Sequence, residues 1–132
     1  MSAVLDTHVL VWSVVEPSRL SRSALMTIRK ARAQAILAIA DITLWELATL
    51  FARGRIRTQG SIEDAVRAVV RTAGVIIKPV TPEIAALATQ FPDDFPHDPG
   101  DRLIAATARA EGSVLVTRDE AIRRSPLLRT IW

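Results

Sequence analysis

The stretch Asp98–Asp119, DPGDRLIAATARAEGSVLVTRD, decides the architecture. Asp98-Pro99-Gly100 is turn chemistry. From Asp101 to Glu111 the apolar residues Leu103, Ile104 and Ala108 recur on one helical face, and Gly112 closes the helix. Val114-Leu115-Val116-Thr117 is then a short apolar strand that ends just before Arg118-Asp119. A buried helix leading directly into a buried strand is half of a parallel β–α–β unit.

The same alternation extends outward in both directions. Phe91–Gly100, FPDDFPHDPG, carries three prolines and a glycine and must be a loop. Upstream, Thr81-Pro82 opens a helix with proline at its favoured first position, after a strand over Val75–Val80. Ser61 caps a helix with Glu63 and Asp64 in its first turn and Gly74 past its end. Thr43-Leu44-Trp45-Glu46 has the pattern of a capping box, opening a helix that faces Leu47, Leu50 and Phe51 inward and ends at Gly54. Ala35–Ala40, AILAIA, is a second strand stopping at Asp41, and Ser21 caps a helix over residues 22–33. Ala3-Val4-Leu5 is the first strand, with Asp6 as its polar stop, and Leu127–Trp132 can add an edge strand. Strands separated by helices imply right-handed parallel crossovers. The expected fold is therefore α/β, a three-layer α/β/α sandwich around a mainly parallel sheet of four to five strands.

Composition narrows the chemistry. The 132 residues suit one domain over positions 1–132, and 49% hydrophobic residues are enough to build a core. There is no cysteine, which excludes disulfide scaffolds, thiol catalysis, Cys-ligated zinc and iron–sulfur clusters together. His8 and His97 are the only histidines, so a metal would be held mainly by carboxylates, favouring Mg²⁺ or Mn²⁺. No apolar run approaches a membrane span, and the N-terminus lacks a signal-peptide pattern, so a cytoplasmic protein with no membrane partner is expected. The net charge of +3 is compatible with a polyanionic partner. Arginine supplies all basic residues except Lys30 and Lys78, a bias that a GC-rich genome would also produce. No glycine-rich phosphate loop is present, which removes nucleotide-cofactor enzymes.

In open sheets of this kind, sites form beyond the carboxyl ends of the strands. Asp6 follows the first strand, Glu46 opens the helix after the second, and Asp119 lies two residues beyond Thr117 of the fourth. Asp101 joins them if the 91–100 loop returns its helix start to that edge. Each acid has a bland reading: Glu46 as the partner of Thr43 in a capping box, Asp101 as a helix-dipole acid, Asp6 and Asp119 as strand terminators. Together they repel, and a divalent cation is the usual reason to keep such a cluster.

In order along the chain, Val4-Leu5-Asp6-Thr7, Thr43-Leu44-Trp45-Glu46, His97–Ala108 with its Asp-Arg-Leu-Ile-Ala-Ala-Thr-Ala core, and Leu115–Asp119 resemble the motifs of PIN-domain ribonucleases, and more narrowly the VapC-like toxins of toxin–antitoxin pairs. The resemblance implies Mg²⁺- or Mn²⁺-dependent hydrolysis of RNA by a catalytic quartet Asp6, Glu46, Asp101 and Asp119. Asp6 and Asp101 would be metal ligands, with Glu46 and Asp119 as further candidates. Asp98 would be an accessory acid, and Thr7 and Thr117 hydroxyls that orient carboxylates or water. It also implies a homodimer, an RNA substrate and a small antitoxin protein as partner.

Other residues carry two readings. Trp45 is expected in core or interface packing, and Trp12 and Trp132 as buried staples. His8 and His97 are expected to be structural. Arg102 can meet a phosphate or pair with Asp98. Arg53, Arg55 and Arg57 can line an RNA path or decorate a solvated turn. An aspartate-dependent phosphatase would want a second aspartate two positions after Asp6, where His8 stands. A degenerate PIN-like binding module without catalysis would be favoured by a missing acid, and none is missing.

Overall fold

A computed structural model describes all of residues 1–132. The elements are β1 (Ala3–Leu5), α1 (Thr7–Val15), α2 (Arg22–Ala33), β2 (Leu37–Ala40), α3 (Ile42–Ala52), α4 (Ile62–Ala73), β3 (Ile76–Lys78), α5 (Pro82–Ala88), α6 (Pro99–Ala110), β4 (Val114–Val116), α7 (Glu120–Arg123) and β5 (Thr130–Ile131). A short 3₁₀ turn, Pro17–Arg19, joins α1 to α2. The sheet has five strands in the order β3-β2-β1-β4-β5, and every pairing is parallel. The order places β1 at the centre, with β2 and β4 on its two sides, which is where a doubly wound sheet reverses direction.

The three central strands are buried on both faces, and their period-two alternation sorts the core into two halves. Ala3 and Leu5, Leu37 and Ile39, Val114 and Val116 face one side, where α1, α2, α3 and α4 supply Leu10, Ile28, Leu47 and Val69. Val4, Ala38, Ala40 and Leu115 face the other, against Ile84 of α5, Ile104 to Ala106 and Ala108 of α6, and Ile122 of α7. Alanine on both the β2 and α6 surfaces brings the α6 backbone close to the sheet. That close seat fixes where the start of α6 lies.

The expected strands and helices form, the second strand starting two residues later at Leu37, with three further differences. The third strand is shorter than 75–80 and lies at the sheet edge, with Ile76 and Ile77 about two-fifths exposed. Helix α6 begins at Pro99, two residues early, because Asp98 and not Asp101 caps it, its carboxylate accepting the Gly100 N–H at 2.7 Å. Helices α1 and α7 have no counterpart in the sequence pattern. Thr7–Val15, THVLVWSVV, is mostly apolar, with only Thr7, His8 and Ser13 polar, and rich in β-branched residues, so it shows no clean helical stripe to read.

Candidate active site

Three helices start at the carboxyl edge of the central strands. Asp6 caps α1, accepting the Thr7 N–H at 2.8 Å. Asp98 caps α6, with Asp101 in its first turn. Asp119 caps α7, accepting the Ile122 N–H at 3.1 Å. Each helix start offers partial positive charge, which lowers the free energy of carboxylates held there. Glu46 reaches the same place from one turn inside α3. These five acids line one open pocket of about 720 Å³, together with Thr7, His8, Val9, Trp12, Trp45, Thr49, Leu50, Arg53 and Arg118.

Two threonines tie the acids together. The Thr7 hydroxyl donates to Glu46 Oε1 at 2.6 Å and lies 3.1 Å from the Thr43 hydroxyl. Having spent its one proton on the carboxylate, Thr7 accepts from Thr43. Thr117 Oγ1 donates to Asp6 Oδ2 at 2.7 Å and accepts the Asp119 N–H at 3.1 Å. Thr7, Thr43 and Thr117 are all buried, so these carboxylate positions are fixed from beneath. Thr43 and Glu46 therefore do not form a capping box. Helix α3 starts at Ile42 after Asp41, which makes no side-chain cap and instead accepts the Val80 N–H at 3.0 Å. The Thr-x-x-Glu spacing serves the pocket floor.

Gly100 is required by a close approach. A Cβ built there would lie 2.6 Å from Glu46 Oε2 and 3.1 Å from Asp98 Oδ1. The first turn of α6 thus presses directly against the Glu46 carboxylate, which is how Asp101 joins the other acids.

Crowding raises the proton affinity of the site. Burial pushes Asp6 above the usual carboxylate range, against the hydrogen bonds from Thr117 and Thr7 that pull it down. Burial raises Glu46 too, opposed by the bond from Thr7 and reinforced by the charges of Asp98 and Asp6. Asp101 is pushed up to about 7, by burial first and then by Asp6, Asp98, Asp119 and Glu46. It has no compensating donor: no hydrogen bond or ion pair reaches its carboxylate, and the three ion pairs of the molecule lie elsewhere.

The donor set fits a hard divalent cation. All candidate ligands are oxygens, they repel one another, and the half-buried Asp101 has no partner of opposite charge. No three acids converge tightly enough to enclose an ion by themselves. That spacing suits Mg²⁺, which keeps several waters and takes one or two carboxylates plus substrate phosphate oxygens in preference to a protein cage.

All seven residues singled out from sequence as catalytic or accessory stand at or beneath this pocket, Thr117 underneath it. Arg102, next to Asp101, takes neither of its expected roles. Its guanidinium donates to the backbone carbonyls of Pro96, Phe91, Pro92 and Phe95 at 2.8, 3.2, 3.3 and 3.4 Å, fastening the 91–97 loop. His97 holds the Asp93 carbonyl at 2.9 Å, away from the acids, whereas His8 is in the pocket wall. Of the core and interface packing expected for Trp45, core is excluded: it is 67% exposed on the pocket rim. Arg53 lines the pocket, and Arg55 and Arg57 do not. The wall residues Trp12, Trp45 and Arg118 carry no sequence pattern that assigns them to a site, whereas Arg53 is one of the arginines read as able to line an RNA path.

Known proteins share this fold. The profile of the PIN domain family matches residues 3–126. Ribonuclease VapC22 of Mycobacterium tuberculosis is 40% identical over 136 residues, covering 99% of this chain and 98% of the relative. Among solved structures, VapBC2 from Rickettsia felis, bound to a DNA fragment from its promoter, superposes with a TM-score of 0.72 at 18% identity, covering 99% of this chain and 98% of that one. VapBC-1 from nontypeable Haemophilus influenzae superposes with a TM-score of 0.67 at 21% identity, covering 99% and 97%. At such identities these two structures establish the shared fold.

Proposed function

The chain belongs to the PIN domain family, and from that premise we propose that residues 1–132 form one metal-dependent endoribonuclease domain, the toxin of a toxin–antitoxin pair. The observation that carries the reading is the meeting of Asp6, Glu46, Asp98, Asp101 and Asp119, from four helices, around one pocket in which Asp101 has no partner. A binding module has no need to hold repelling acids at the converging starts of three helices.

Asp6 and Asp101 would hold Mg²⁺ or Mn²⁺, with Glu46 and Asp119 as the remaining candidates. The ion supplies activation of the attacking water and neutralisation of charge at the phosphate and departing oxygen. The protein's own contribution is positional. Thr117 aims Asp6 and fixes the backbone of Asp119, Thr7 aims Glu46, and Gly100 allows α6 to bring Asp101 within range of both. Asp98 keeps the start of α6 in place. Asp101, whose carboxyl is pushed up to about 7 by burial and then by the neighbouring acids, would hold a cation in its deprotonated form.

The 40% identical relative is a VapC ribonuclease, which supports RNA as substrate, and the structural neighbours are VapBC proteins, which supports a small antitoxin as partner. An antitoxin arginine would suit the pocket, because a guanidinium pairs with carboxylates in two-point contact. No helix is long and apolar enough to cross a membrane, and we place the protein in the cytoplasm as a homodimer.

RNA cleavage by the purified chain is expected to require Mg²⁺ or Mn²⁺ and to stop in EDTA, with Zn²⁺ a poor substitute for an all-oxygen site. Full activity after exhaustive chelation would overturn the metal mechanism. Absence of both nuclease activity and growth arrest on expression in several hosts would return the chain to the degenerate-module reading.

A further inference from the structure

Resting on the ribonuclease reading, we propose that Trp45 is a stacking platform for the nucleobase beside the scissile phosphate, with Arg53 holding an adjoining phosphate on the same helix face. Trp45 and Thr49 stand four residues apart on α3, Arg53 follows four residues later as its C-cap, and all three line the acidic pocket. This stripe is about 12 Å long, from the axial rise of an α-helix. Trp45 immediately precedes Glu46, so its indole stands at the level of the acids. A phosphodiester can reach those acids only if the nucleotides on either side of it also enter the pocket. Their bases then need apolar faces nearby.

Two tryptophans are available. Trp12, on the α1 wall, is already engaged: Arg19 lies 4.7 Å over its ring, Arg118 lies 6.0 Å from it, and Trp132 packs edge-on at 5.9 Å. Trp45 has no aromatic or cationic partner and is 67% exposed. It is therefore the free π-face of the cleft. The charges along the walls fit RNA as its occupant. Arg53 on the α3 wall and Arg118 on the opposite side flank an acidic floor, a sequence of charges suited to phosphates on the walls and a cation beneath. Aromatic stacking of unpaired bases is tolerant of base identity and contributes strongly to single-strand binding.

The test uses the full chain with Mg²⁺ and one unpaired oligoribonucleotide whose cleaved bond has been mapped with wild type. Trp45→Ala should lower kcat/KM about tenfold or more, the scale of one lost base–aromatic stack, while Trp45→Phe keeps most activity. Replacing the nucleotide beside the cleaved bond by an abasic one should cost wild type a similar factor and cost Trp45→Ala almost nothing further. Because the side chain is exposed, thermal melting of Trp45→Ala should match wild type. Unchanged cleavage in Trp45→Ala, equal abasic penalties in both proteins, or a loss confined to binding of a co-expressed antitoxin would each overturn the stacking role. With Glu46→Gln inactive, those results would leave the nuclease reading standing. Failure of wild type to cleave any RNA would remove both.

Discussion

Asp101 and Arg102 are neighbours on the first turns of α6, and the protein treats their charges in opposite ways. Arg102 points to the 91–97 loop, where every donor direction it uses meets a backbone carbonyl. Phe95, one of the residues it holds, also stacks on Phe91 at 4.1 Å. Asp101 points to the pocket, where it meets only other acids and no donor. A satisfied charge of the first kind holds structure together. A charge of the second kind lowers the stability of the metal-free protein, and the fold tolerates it because strand order and helix starts force it into that place. The contrast gives a criterion applicable to the whole pocket: acids bonded from beneath are positioned, and the unbonded one awaits a ligand.

The sharpest way to break this comparison is to neutralise each side in turn. Asp101→Asn should reduce RNA cleavage at least about 100-fold, the scale of removing one preorganised charge from a transition-state site, and should leave metal-free stability equal or higher. Arg102→Ala should do the reverse in stability, costing about 2 kcal/mol as the loop carbonyls lose their shared donor. Any activity lost in Arg102→Ala should be partial, since the loop holds Asp98 and not the reacting groups. Denaturant melts in EDTA paired with a cleavage assay measure both. If Asp101→Asn melted far below wild type while its folded fraction cleaved RNA normally, Asp101 would be structural and the assignment of the site would fail.

A smaller effect probes how α6 brings Asp101 in. Gly100→Ala places a methyl group against the Glu46 carboxylate. That carboxylate is the far end of a flexible side chain, so it can swing aside at a cost below about 1 kcal/mol in stability, within the range of ordinary point substitutions. Displaced, it leaves its bond with Thr7, and cleavage should fall about tenfold, as expected for a misplaced positioning group. Equal activity in Gly100→Ala would show that the Glu46 position is not used in the reaction.

Much of this site was readable before any coordinates, and the unreadable part has identifiable physical causes. The acids stand next to strand ends and turn residues, and such punctuation survives in a linear string. Glu46 lines the pocket, but its local pattern is ambiguous: Thr-x-x-Glu is the same whether threonine caps a helix or packs beneath one, and only the start of α3 at Ile42 distinguishes them. Helix α1 escaped because a mostly apolar segment has no clean stripe. Trp45 escaped for a different reason, since an exposed aromatic on an apolar helix looks like core until the opposite wall of the cleft is seen.

The smallest effect sharpens the comparison furthest, because it reads the unpaired charge directly. In metal-free protein the Asp101 carboxyl holds its proton up to about 7, whereas in the unfolded chain it ionises near its ordinary value of 3.8. Between those limits the folded state binds more protons than the unfolded state, so stability falls as pH rises. Below the unfolded value both states are protonated, and above the folded value both are ionised with the full penalty in place. Asp6 and Glu46 are raised as well and act in the same direction. Melts in EDTA at about pH 5 and about pH 8 should therefore show wild type losing more stability across the interval than Asp101→Asn. The difference should be on the order of 1 kcal/mol once solvent screening of a half-exposed carboxyl is allowed for. Mg²⁺ should act with the opposite slope, stabilising wild type strongly at the higher pH and little at the lower, because the proton and the cation compete for the same oxygens. If both proteins showed the same pH slope in EDTA, the crowding of acids around Asp101 would be absent in solution, and the contrast with Arg102 would lose its energetic basis.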